Sequence, residues 1–295
     1  QVCAPVLRRG PQPGIVAVSS GVPAQVVHQV PWPGPASWGP LLAPVYGVPP
    51  VVLPTSPTLG SLATATAGFR DEYYALRDAT VDATDGVGPP LATVGTVDAG
   101  ALDWGVRPAK VGGASLLHRR GDLAALEAAS PRVARWVAAR SVPKVLVAAQ
   151  TKVVEAVADP VGDVVPMTPL ISVEPSDPAD LWRVAAVLLA PPVSARVVAD
   201  GLGSGRSAAT LRWSASAALA TPLPVDAAAW SEGAVLAAAL HTADADGRPE
   251  LLERLARTMT RAYGIDPDSD PGARLVAWWL VRAVVRRRAA AVVPV

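Results

Sequence analysis

Residues 142–173, VPKVLVAAQTKVVEAVADPVGDVVPMTPLISV, decide the fold. PKVLVA (143–148), VVEAVAD (153–159) and PLISVEP (169–175) are short apolar runs rich in β-branched residues, and DPVGD (159–163) is a turn between strands. These runs read as short strands in the middle of the chain. Side chains alternate along a strand, so Lys144 and Leu146 are expected on one face, leaving Val145 and Val147 for the core.

Downstream, Asp177 and Asp180 precede LWRVAAVLLA (181–190), which reads as an amphipathic helix with an acidic start. The last third, AAAWSEGAVLAAAL (227–240), PELLERLARTMTRAYG (249–264) and GARLVAWWLVRAVVRRR (272–288), repeats apolar residues at three and four, as helices do. Upstream, DLAALEAASPRVARWVAAR (122–140) is helical in two pieces, with Pro131 near the start of the second. PPLATVG (89–95) is a strand candidate. TATAGFRDEYYALRDA (64–79) is a small-residue loop opening a helix that carries Phe69, Tyr73 and Leu76 on one face. Residues 1–60 are punctuated by PQPG, PWPGP, GVPP and PTSP, which leave room only for short strands at 14–19 and 24–30. The fold class is α+β: a mixed sheet with a helical C-terminal unit. The expected segments are a proline-rich lead (1–60), a middle domain (61–225) and the helical unit (226–295), with no internal repeat.

Composition removes several classes. With 295 residues and 51% apolar content, the chain can bury a large core and is no disordered protein. Cys3 is the single cysteine, which excludes an internal disulfide framework. The 26 Lys and Arg nearly balance the 25 Asp and Glu, so a polyanion would have to be met by a local patch. Only three of those cations are lysines, at 110, 144 and 152. The abundance of Ala, Val, Pro and Arg is what GC-rich codons impose, so it carries no functional weight. The best apolar stretch, 275–285, is broken by Arg282 and falls short of the roughly 20 residues of a membrane span. No signal-peptide core is visible, and a cytoplasmic protein is expected. The first Met is Met167, and the expectation is a chain cut at its start or excerpted from a longer protein.

Motifs for catalysis are incomplete. VVADGLGSGRSA (197–208) suggests a cofactor loop, because glycines let backbone amides approach a ligand. However, Asp200 is followed by glycines at one, three and five residues, whereas the methyltransferase loop has them at two, four and six. A flexible loop is the expected reading. No GxxxxGK[ST] occurs, and GLGSG (201–205) misses the serine-elbow spacing. His28, His118 and His241 are too scattered to suggest zinc, so no metal is expected.

Several segments together resemble a known family. TAGFRDEYYAL (66–76), PPLATVGTVDAGALDWGVRPAK (89–110), residues 142–173 and DLWRVAAVLLAPPVSARVV (180–198) occur in this order, closing with LRWSASAALATPLPVD (211–226). This series resembles the C-terminal target-recognition half of bacterial adenine-N6 DNA methyltransferases over about residues 60–226. QVCAPVLRRG (1–10) is similar to the last strand of the catalytic domain that precedes it in that family. The resemblance implies a DNA-binding specificity domain of a restriction or phage-defence system. It also implies double-stranded DNA and an upstream methyltransferase domain as partners. S-adenosylmethionine and the catalytic NPP[YF] loop would belong to the presumed full-length protein, leaving neither catalytic residues nor a cofactor in this chain.

A DNA reader needs cations on a rigid sheet and polar loops. Lys144, Gln150, Thr151 and Lys152 cluster on one strand–turn region, with Gln150 able to reach adenine. Arg70, Arg107 beside Trp104, Arg206 and Arg212 are the further candidates for a positive rim. Two rival classes stay open: a structural or assembly subunit binding partners through its C-terminal helices, and an enzyme of unrelated chemistry using the 197–208 loop. For the tail, Leu275, Trp278, Trp279, Val281 and Val285 are expected on one helix side. Docking on the recognition domain or on the upstream catalytic half is favoured over a membrane surface, because the cations gather at one end of the helix.

Overall fold

The computed structural model describes residues 14–20, 25–31, 39–84, 88–148, 150–202 and 213–290. A hairpin comes first, β1 (Ile15–Ser20) antiparallel to β2 (Gln25–Pro31), followed by the short helix α1 (Gly39–Leu42). After a proline-rich stretch come β3 (Ala63–Ala67) and α2 (Arg70–Asp78). Seven short strands follow: β4 (Thr80–Asp82), β5 (Leu91–Ala92), β6 (Val97–Asp98), β7 (Ala101–Leu102), β8 (Ala109–Val111), β9 (Ala114–Leu116) and β10 (Arg119–Gly121). Helices α3 (Leu123–Ala129) and α4 (Pro131–Ala138) are separate because Ser130 and Pro131 restart the chain, with proline at the first helical position where its missing N–H costs nothing. Asp122 caps α3 by accepting from the Ala125 N–H at 2.9 Å.

The next strands are β11 (Lys144–Ala148), β12 (Glu155–Asp159), β13 (Val165–Pro166) and β14 (Leu170–Pro175). Six helices complete the described chain: α5 (Leu181–Leu188), α6 (Pro191–Gly201), α7 (Ala215–Leu219), α8 (Ala227–Thr242), α9 (Arg248–Ala262) and α10 (Asp270–Ala290). The fold is α+β. Residues 197–201, expected to open a flexible loop, instead finish helix α6.

The main sheet has the order β12-β11-β14-β3, every pair antiparallel. Every residue of β11 is buried, so the strand is covered on both faces. Val145 and Val147 belong to the larger core, with α5 against the sheet and α8 beyond it. Leu146 and Ala148 belong to a smaller core with Ala92, Val97, Val157 and Leu170, under β6 and β7. Lys144 and Leu146 were expected on the face away from the core; the β6–β7 pair lying over that face explains the difference.

The larger core runs from Ala43 to Ala283. It crosses both expected boundaries, 60/61 and 225/226, because the C-terminal helices bury their apolar faces on the same helices that cover the sheet. Trp230 Nε1 donates to the Arg183 carbonyl at 3.0 Å, joining α8 to α5. Trp279, fully buried on α10, donates to Ser194 Oγ on α6 at 3.2 Å, and the Val154 N–H donates to the same oxygen. A third core gathers Leu76, Leu126, Val133, Val137 and Met167 beneath α2, α3 and α4. Among the described residues, no single helix is long and apolar enough to cross a membrane.

Candidate nucleic-acid interface

Strand register gathers three loops at one end of the main sheet. Ala148 pairs with Leu170, and Ile171 pairs with Ala67. The turn after β11, the Met167–Pro169 segment before β14 and the Gly68–Arg70 segment after β3 therefore leave the sheet together. The Thr168–Pro169 peptide is cis. A Cβ at Gly68 would come within 2.5 Å of Thr168 Oγ1, so a larger residue there would displace that hydroxyl.

Phe69 occupies the N-cap of α2 in an extended conformation. Its N–H donates to Glu72 Oε2 at 2.8 Å, and its carbonyl accepts from the Tyr73 N–H at 3.0 Å and from Thr168 Oγ1 at 3.3 Å. The reciprocal half of a capping box cannot form, because a phenyl ring offers no acceptor. Glu72 is buried and receives Arg132 at 2.7 Å. Burial alone would raise its carboxyl pKa, but the Phe69 N–H and the Arg132 guanidinium outweigh burial and hold it below the ordinary value of 4.5.

Beside this segment opens a cleft of about 290 Å³, walled by Tyr73, the 93–95 turn, Lys110 of the β8–β9 hairpin, and Met167, Thr168 and Pro169. Arg70 and Arg77 lie over the Tyr74 ring, 5.5 and 4.8 Å from its centroid. Arg77 also pairs with Asp78 at 2.6 Å. Arg70, Lys110 and Lys152 are exposed, and none of the three pairs with a carboxylate among the described residues.

The structure sorts the residues expected to meet DNA. Arg70, Gln150 and Lys152 are exposed at this sheet end. Thr151 is buried, its hydroxyl within reach of the Ala148 and Val153 carbonyls, so it shapes the turn instead of facing outward. Lys144 is no surface cation: it lies fully buried at the opposite end of β11, paired with Asp159. Asp159 also accepts the Gly162 and Val164 N–H groups at 2.9 and 3.0 Å. Arg107 is held between Asp98 at 3.1 Å and Asp103 at 3.4 Å, so its charge is already met. Arg206 and Arg212 lie outside the described residues.

Sequence reasoning missed Lys110 as a site residue and placed Phe69 and Tyr73 only as helix-face residues. The signal was present in the scarcity of lysine. The neighbourhood of Lys110 with α2, however, exists only after folding. Cationic donors, aromatic faces and an open cleft suit an anionic, ring-bearing polymer. Among the described residues, no three His, Cys, Asp or Glu side chains converge as metal ligands. No protein-family model matches this chain, and no curated protein does.

Proposed function

We propose that the chain binds double-stranded DNA through this end of the sheet, as the target-recognition half of an adenine-N6 DNA methyltransferase. The carrying observation is that Arg70, Gln150 and Lys152 sit on loops leaving one end of the main sheet, with Lys110 of the β8–β9 hairpin lining the adjoining cleft, the three cations being free of carboxylate partners among the described residues. Phosphate contacts by such cations fix register and release counterions, while Gln150 presents an amide able to meet an adenine edge. The catalytic step and S-adenosylmethionine belong in this reading to a methyltransferase domain that partners this chain.

The test is anisotropy of a labelled duplex titrated at about 50 and 200 mM salt. Replacing Arg70, Lys110 and Lys152 together with Ala should flatten the log–log salt dependence by about two to three units, roughly one per lost phosphate contact. An unchanged slope, or no binding by the wild type, overturns the assignment. Adenine-N6 methylation in cells expressing the complete coding region, and its loss in the triple variant, tests the methyltransferase part.

A further inference from the structure

We infer that Phe69 stacks on a nucleobase of the bound duplex, entering at a base step as an apolar wedge; this rests on the DNA-binding reading above. Phe69 is the chain's single phenylalanine and is 76% exposed. Exposure of one apolar side chain is commonplace and would carry nothing alone. Its position carries more. An N-cap strongly favours Ser, Thr, Asp or Asn, whose oxygen accepts a free N–H of the first turn, and Phe forgoes that bond. The backbone beneath the ring is nevertheless pinned on both sides, by Glu72 on its N–H and by the Tyr73 N–H and Thr168 hydroxyl on its carbonyl. A large ring is thus held out on a rigid pedestal at a position better suited to a small polar residue.

The surroundings favour nucleic acid over a protein partner. The next two residues along the chain, Arg70 and Asp71, are exposed and charged, and the exposed Tyr74 beyond them has Arg70 and Arg77 over its ring, so the apolar surface at Phe69 is interrupted by charge. Arg70 is without a carboxylate partner among the described residues, as is Lys110 across the cleft that Thr168 lines. Cations beside a projecting ring match phosphates flanking a base step, where inserted apolar side chains unstack the bases. Aromatic rings also stack on any base, whatever its sequence.

The experiment uses mixed-sequence duplexes carrying 2-aminopurine at successive positions, whose fluorescence rises on unstacking. Wild type should raise the signal at one or more positions. Phe69→Ser should abolish that rise and weaken binding about ten-fold with an unchanged salt slope. Its melting temperature should stay equal or rise, because serine can cap α2. Phe69→Trp should restore both affinity and signal. If wild type binds with salt-dependent affinity but no position brightens, or if Phe69→Ser binds as wild type does, the stacking role is overturned while DNA binding stands. Absence of any DNA binding removes both. Should the serine variant fail to fold, the 2-aminopurine response of wild type and of Phe69→Trp still decides.

Discussion

At the scale of single residues, Lys144 shows how far burial changes a role. The ammonium sits in the core against Asp159, whose carboxylate also holds the Gly162 and Val164 N–H groups. Removing one partner of a buried pair leaves an uncompensated charge, so Lys144→Ala should cost about 3–5 kcal/mol. Denaturant titration measures that loss, and the DNA salt slope should not change. A normal stability with a slope reduced by one would return Lys144 to the interface. Gly162, at φ +82°, allows the turn that follows Asp159, and a Cβ there would lie 2.5 Å from the Val142 carbonyl carbon. Glu72 has a pH signature. Its folded-state pKa is depressed, so its contribution is full above the unfolded value and lost as pH falls below the ordinary 4.5. Glu72→Gln should therefore flatten the acid limb of a stability–pH profile; an unchanged limb would show that Arg132 and the Phe69 N–H do not hold the charge. The Lys144–Asp159 contact was not legible because the sequence does not say what covers a strand's second face.

At the scale of elements, α10 is the clearest case. The expected helix spans nearly the observed one, and it docks on α6 and α9. Its buried stripe is Leu275, Val276, Trp278, Trp279 and Ala283, whereas Val281, expected inside, is 63% exposed. Periodicity located the helix, but a rotation of a fraction of a turn decides which valine is covered. Arg282 folds back over Trp278, 4.7 Å from its ring centroid, and donates to the Trp278 carbonyl at 3.0 Å. Trp279→Ala should cost about 3–5 kcal/mol, as for other buried tryptophans. Truncation at residue 271 should lower the melting temperature further. An unchanged melting point, together with retention of the full chain on anionic liposomes, would assign the helix to a membrane surface instead.

At the scale of the whole molecule, the larger core passes from the sheet into the C-terminal helices without a break at 225/226. A fragment of residues 1–225 would expose the faces of α5 and α6 that α8, α9 and α10 cover, so it should fail to fold cooperatively. Coincident circular-dichroism and tryptophan-fluorescence transitions for the full chain, and their absence in the fragment, check this. A fragment melting like the parent would restore an independent middle domain.

Local rules were enough for much of the chain. Alternating or continuous β-branched runs marked β11, β12 and β14, the restart at Pro131 separated α3 from α4, and three-and-four periodicity marked α8, α9 and α10. Such features depend on neighbours a few residues away, so the sequence by itself determined them. The strand expected within 89–95 is β5, shortened to Leu91–Ala92, whereas the two-residue strands β6, β7 and β13 were invisible, because two residues carry no period. Exposure was invisible for a different reason. Whether Lys144, Lys152 or Lys110 meets solvent depends on segments distant along the chain, such as the meander over β11, the turn shaped by Thr151 and the hairpin facing α2. Only the tertiary structure decided that Lys144 is core while Lys110, Lys152 and Arg70 remain open to a partner, since burial is set by what packs across a face and not by the order of residues along it.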